Sequence, residues 1–150
     1  MMAKPLIYLD NCCFNRPFDD QEQPKIRIET EAKLFLQERV KLGELDLVWS
    51  FMLSLENDRN PFEEKRRHIA PWRNLALVYI PAMPEVRILA DSLLKDFRLQ
   101  SADSAHLACA IHAKAEYFMT TDLKLLRSTR DCTAIKVINP VDWFKESFHD

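Results

Sequence analysis

Five short apolar runs, set apart by amphipathic stretches, limit what this chain can fold into more than any other feature. They are Leu6-Ile7-Tyr8-Leu9, Leu45-Asp46-Leu47-Val48-Trp49, Leu75-Ala76-Leu77-Val78-Tyr79-Ile80, Tyr117-Phe118-Met119-Thr120 and Ala134-Ile135-Lys136-Val137-Ile138. Each is too short for a buried helix and rich in β-branched or aromatic residues, so each reads as a strand. The stretches between them carry helical spacing. A helix is predicted from about 26 to 42, with Ile28, Ala32, Phe35, Leu36 and Val40 on its inner face and Gly43 ending it. Others are predicted from Ser50 as N-cap through Glu56, from Pro61 towards Trp72, and from 84 to 97 with Val86, Ile88, Leu89, Leu93 and Leu94 inward. Three more are predicted: one with Ser101 as its N-cap, one from Asp122 to about 128, and a terminal turn or helix after Asn139-Pro140. Residues 15–24, with two prolines, read as a loop. Strands alternating with helices predict a mainly parallel sheet covered on both faces: an α/β chain, a three-layer α/β/α sandwich. A length of 150 residues is that of one domain, 1–150.

Composition removes several function classes. One glycine among 150 residues, Gly43, cannot build the glycine-rich loops that cradle phosphates, so P-loop and dinucleotide-binding enzymes drop out. A net charge of -2 argues against a chain-wide basic footprint for nucleic acid but not against a local basic lip. Cys12, Cys13, Cys109 and Cys132 have neither zinc-knuckle nor redox spacing and read as reduced packing residues. No apolar run approaches the roughly 18 residues that suggest a membrane span. The N-terminal apolar stretch is too short for a signal peptide. A cytoplasmic protein without membrane attachment is expected.

The chemistry is carried by four acids. Asp10 and Asp122 each follow an apolar run, at the carboxyl end of a strand, where open α/β sheets bind ligands. Asp103 stands in the first turn of a helix otherwise made of small and apolar residues. Glu56 lies on the helix after the second strand. Each has an ordinary structural reading as a turn residue, helix-terminal acid or solvated side chain. Together they repel one another unless a cation neutralises them. Oxygen ligands suit Mg²⁺, which can activate water and stabilise charge on a phosphodiester without any histidine, cysteine or lysine nucleophile.

Four pieces in this order resemble the PIN-domain family of metal-dependent ribonucleases over nearly the whole chain. They are Ile7-Tyr8-Leu9-Asp10, Ser50 with Glu56, Asp103-Ser104-Ala105-His106-Leu107-Ala108-Cys109-Ala110, and Thr120-Thr121-Asp122. The resemblance implies a compact PIN-like fold that cleaves RNA with Mg²⁺ or Mn²⁺. Asp10, Glu56, Asp103 and Asp122 would be both its catalytic and its metal-binding acids. Thr120 matches a position where a hydroxyl often helps order the site. Many small members are toxins of VapBC-type toxin–antitoxin pairs, silenced by an antitoxin protein and often homodimeric. This chain departs at Asn11, where Ser or Thr is common, although Asn11 can still support the site by hydrogen bonding. It departs again at Cys12-Cys13-Phe14-Asn15-Arg16-Pro17-Phe18, which bears on substrate choice.

Other residues have plainer roles open to them. His106, one turn after Asp103, reads as a core or supporting histidine more than a ligand of a hard cation. His68, His112 and His149 have no evident partners. Glu29 and Glu31 read as a solvated helix face, and Asp142 as a helix-start residue. Lys124 and Arg127, with Arg130 and with Arg16 in the loop, are candidates to guide an RNA backbone. Arg59, Lys65, Arg66, Arg67 and Arg73 divide between phosphate contact and a salt-laced surface. Trp49, Trp72 and Trp143 read as core. Apolar groups around Phe14, Phe18 and the first two helices could form a dimer or antitoxin surface. Two rival readings remain. One is a catalytically inactive PIN-like module that binds RNA or protein. The other is a phosphatase with Asp10 as nucleophile, which would ordinarily carry a second Asp where Cys12 stands.

Overall fold

The computed structural model describes residues 4–148; residues 1–3, His149 and Asp150 lie outside the description. Five strands form one sheet: β1 (Leu6–Leu9), β2 (Asp46–Ser50), β3 (Val78–Ile80), β4 (Tyr117–Met119) and β5 (Lys136–Ile138). All four pairings are parallel, in the order β3-β2-β1-β4-β5. The α/β fold with a parallel central sheet flanked by helices is therefore present. β1 is central and pairs with both β2 and β4, for example Tyr8 opposite Val48 and Phe118. The chain winds outward from β1 through β2 to β3, then returns to place β4 on the other side of β1. That reversal opens a crevice at the carboxyl ends of β1 and β4.

Burial on both faces explains the composition of the central strands. Ile7, Tyr8 and Leu9 are fully buried, as are Leu47, Val48, Phe118 and Met119. Tyr8 stacks on Phe118 with ring centroids 5.2 Å apart. Phe14 meets Trp49 edge-on at 5.4 Å. Buried residues from all five strands and most of the helices join one cluster. Trp49, Trp72 and Trp143 belong to it, as do Cys13 and Cys109, and all four cysteines are free.

The helices are α1 (Asn11–Asn15), α2 (Pro24–Lys41), α3 (Phe51–Asp58), α4 (Glu63–Ile69), α5 (Trp72–Leu75), α6 (Pro84–Phe97), α7 (Ser101–His112), α8 (Leu123–Ser128) and α9 (Pro140–Ser147). Ser50 caps α3, its hydroxyl accepting from the Leu53 N–H. Gly43 follows α2 at φ 76°, the left-handed conformation that a glycine adopts without strain.

Several expectations need correcting. The stretch after β1 is not a plain loop: α1 begins directly after Asp10, and a 3-10 turn covers Arg16–Phe18. Phe14 is thereby turned into the core rather than onto a docking surface. The third strand is shorter than its apolar run: Leu75 ends α5, and the strand begins only at Val78. Ser101 opens α7 without capping it; the cap position is Gln100. Ile28 is 51% and Ile88 70% exposed, so neither faces inward as expected. Glu29 is the reverse. Only 2% exposed, it accepts from Arg16 Nε at 3.0 Å and Asn139 Nδ2 at 2.6 Å. It fastens the 3-10 turn and the start of α9 to α2, so it is no solvated face. Glu31 and Asp142 are exposed.

Candidate metal centre

Asp10 does two jobs at the end of β1. Its Oδ1 accepts from the Asn11 N–H at 2.8 Å, which caps α1. Its Oδ2 accepts from the Thr120 hydroxyl at 2.9 Å, and the Cys12 thiol lies 3.5 Å away. The same Thr120 oxygen accepts from the Asp122 N–H at 3.1 Å. Thr120 thus ties the ends of β1 and β4 together, and Asp10 is held nearly buried with a fixed carboxylate. Asn11 contributes through its backbone.

Glu56 reaches the same place from α3, and His106 from α7. One ligand atom each from Asp10, Glu56 and His106 falls within 4.8 Å of the others. His106 Nε2 bonds Glu56 Oε1 and lies 3.9 Å from Asp10 Oδ1. Its Nδ1 lies 2.6 Å from the Tyr8 hydroxyl, which lies 2.7 Å from Ser50 Oγ. With Leu53 N–H donating to Ser50, one consistent proton arrangement runs from Ser50 O–H to Tyr8, Tyr8 O–H to His106 Nδ1, and His106 Nε2–H to Glu56. Burial by itself lowers the pKa of His106. The bond to Glu56 and the charges of Asp10, Glu56 and Asp103 outweigh that and raise it. Burial keeps the Tyr8 hydroxyl protonated, well above its ordinary range.

Asp103 and Asp122 border this group without joining its closest atoms. They line a narrow cleft of about 50 Å³ with Arg98, Gln100 and Lys124. Asp103 is raised above the usual carboxylate range by partial burial and by the charges of Asp10, Asp122 and Glu56, with His106 opposing. Asp103 is therefore close enough to feel the charge of each of the other three acids. Asp122 is exposed and caps α8, its Oδ1 accepting from the N–H groups of Lys124 and Leu125 at 2.9 and 3.2 Å.

The residues present fit a hard divalent cation. Carboxylates from different elements lie close together, and one of them, Asp103, has a pKa raised by partial burial and by the charges of the others. His106 fits a positioning role better than a ligand role, because both ring nitrogens are engaged with Glu56 and Tyr8.

The cations separate into two kinds. Arg16 is tied to Asp19 at 2.7 Å and to Glu29 at 3.0 Å, so its guanidinium braces the fold. Arg66 bonds the Asn60 carbonyl, and Arg67 pairs with Glu63 at 2.9 Å. Lys124, Arg127 and Arg130 are exposed on or just after α8. Among the described residues none of the three enters an ion pair. Phe51, Met52, Met83, Val86 and Ala105 help line a mainly apolar hollow of about 520 Å³ that holds no carboxylate.

Sequence reasoning missed Tyr8 and Cys12 as site residues. Tyr8 looked like one more apolar strand residue, and Cys12 like packing. The one available signal was Tyr8's place two residues before the strand-end acid, a position that never pointed to the site by itself.

No protein-family model matches the chain, and no curated protein matches it in sequence. Solved structures match it in fold. The crystal structure of FitAcB from Neisseria gonorrhoeae is similar over 89% of this chain and 97% of its own, with a TM-score of 0.59 and 15% identity. That of VapBC2 from Rickettsia felis, bound to a DNA fragment from their promoter, is similar over 89% and 98%, with a TM-score of 0.57 and 11% identity. At these identities the likeness is one of fold. No helix among the described residues is long and apolar enough to cross a membrane.

Proposed function

We propose that the chain is a Mg²⁺- or Mn²⁺-dependent endoribonuclease of PIN type, folded as one domain. The observation that carries this reading is the convergence of Asp10 and Glu56 with His106 beside the switch between β1 and β4, with Asp103 near enough to feel the charges of both acids. Asp10, Glu56 and Asp103 hold the cation, with Asp122 at the margin. A cation bound there supplies Lewis acidity, polarising phosphoryl oxygens and making water a better nucleophile at neutral pH.

The chain's own residues do the rest. Thr120 and the Asn11 N–H fix both oxygens of Asp10. His106 fixes Glu56 and is itself fixed by Tyr8. Lys124 and Arg127 draw the RNA backbone towards the acids, where without them the negative field would repel it. Arg16 is left out of that group because its contacts are internal.

The fold likeness to a VapBC2 structure supports a place in a toxin–antitoxin pair. The chain would then act in the cytoplasm, as a homodimer, and be silenced by an antitoxin protein. Calorimetric titration with Mn²⁺ tests the first step. Saturable binding lost in Asp10→Asn supports the reading. Absence of Mn²⁺ binding at millimolar concentration removes the nuclease reading.

A further inference from the structure

On α2, well away from the acids in sequence, Lys33, Gln37 and Lys41 are spaced four apart and so lie on one stripe of the helix. They border a pocket of about 230 Å³ whose other walls are apolar, aromatic at Phe14, Phe18 and Trp72 and aliphatic at Pro17, Leu34 and Ile69, and which His68 of α4 also lines. No Asp or Glu lines it.

Lys33 is only 4% exposed. Among the described residues it has no ion pair and no hydrogen bond, and its ammonium lies 5.6 Å from the Phe14 ring centroid. Gln37 is also buried, and its Nε2 donor has no acceptor among the described residues. Lys41 sets its ammonium 5.4 Å from the Trp72 ring centroid. Lys65, over Phe18 at 5.9 Å, adds a further positive charge. Burial, opposed by Cys13 and reinforced by Lys41, lowers Lys33 from 10.5 to about 7. A buried amide N–H without an acceptor, and an ammonium without a counter-charge on a side chain only 4% exposed, are costly in a stable fold, and an anion would satisfy both.

We propose that this pocket binds a phosphate monoester, with Lys33, Gln37 and Lys41 donating to its terminal oxygens and Phe18 and Trp72 enclosing what carries it. Two ammonium groups and an amide suit a dianion with three terminal oxygens. A single carboxylate would leave one charge uncompensated. An apolar occupant would leave Lys33 and Gln37 as they are. The pocket is separate from the acidic cluster and does not depend on the nuclease reading.

Binding of inorganic phosphate and of adenosine 5′-monophosphate is measured by calorimetry on the full chain. EDTA is present, ionic strength is held with chloride, and Trp72 fluorescence is the second readout. Saturable binding weakened about tenfold or more in Lys33→Met and in Lys41→Ala is the expected result. Tighter binding of the nucleotide identifies a carried phosphate as the ligand; equal binding identifies the free anion. Lys41→Ala changes an exposed side chain, so the test survives a Lys33→Met protein that fails to fold. No binding beyond that of chloride, or variants that bind as wild type does, overturns the proposal. Metal-free conditions separate either result from that of the Mn²⁺ titration.

Discussion

The Tyr8 hydroxyl lies 2.6 Å from His106 Nδ1, joining the central strand to the helix that carries Asp103, across 98 residues of sequence. The bond fixes which way His106 points its other nitrogen, and hence where Glu56 is held. Tyr8→Phe would leave the buried Nδ1 without its partner and Ser50 with one fewer. A loss of about 1–3 kcal/mol in urea unfolding is expected. Cleavage should also fall, because Glu56 loses its orientation. A Tyr8→Phe protein with unchanged stability and unchanged cleavage would remove the bond from the account.

Thr120 both donates to Asp10 and accepts from the Asp122 N–H. Thr120→Val keeps the shape and loses both bonds. Stability should fall by about 1–2 kcal/mol, and Mn²⁺ should bind about tenfold or more weakly, as when a supporting partner of a metal ligand is lost. Calorimetry reads the affinity and urea unfolding the stability. Thr120→Ser, which restores the hydroxyl, should recover most of both.

Much of this arrangement can be read from sequence, and the boundary is physical. Strand-end acids and helix caps are local: Asp10, Ser50, Gly43 and Asp122 sit where short-range rules put them. What was illegible depends on partners far along the chain. Glu29 and Glu31 look alike in sequence, and only Arg16 and Asn139 turn the first of them inward. Residues 11–15 carry no helical periodicity, and their helix starts because Asp10 caps it. Tyr8 and His106 each look like core residues until the sheet brings them together.

Glu29 is expected to be structural. Glu29→Ala leaves Arg16 Nε and Asn139 Nδ2 without their acceptor in a buried place. Breaking such a buried pair costs about 3–5 kcal/mol, somewhat less here because Arg16 is part-exposed. The urea midpoint should fall accordingly, and Glu29→Gln should fall less. A midpoint unchanged in Glu29→Ala would mean that the ion pair contributes nothing.

Lys33 gives a pH signature. Its folded-state pKa, about 7, lies below the ordinary 10.5, so between these values the unfolded chain binds more protons. Stability from this group therefore rises as pH climbs from 7 towards 10.5, and the full penalty is present below 7. Facing groups are Cys13, kept protonated by its bond to Cys12 and by burial, with Lys41 and His68. Lys33→Met should be more stable than wild type at pH 6.5, on the order of several kcal/mol. That advantage should shrink by pH 9.5. Equal advantage at both values, in urea unfolding, would contradict the pH assignment.

Asp103 gives the opposite sign. Its raised pKa favours the protonated form in the fold, so its contribution is lost as pH rises through the folded value. In EDTA at pH 7 Asp103→Asn should melt slightly higher than wild type, and the difference should vanish on acidification. Saturating Mn²⁺ should raise the wild-type melting temperature more than that of the variant. A variant that melts lower in EDTA and responds equally to Mn²⁺ would place Asp103 outside the site.

Cleavage of a mixed structured RNA pool by purified protein, in Mn²⁺ or EDTA, tests the central claim most directly when wild type is run beside Asp103→Asn. Cutting by the wild type in Mn²⁺ alone, abolished in a folded variant, is the expected result. Cutting that persists in EDTA or in folded Asp103→Asn would contradict it.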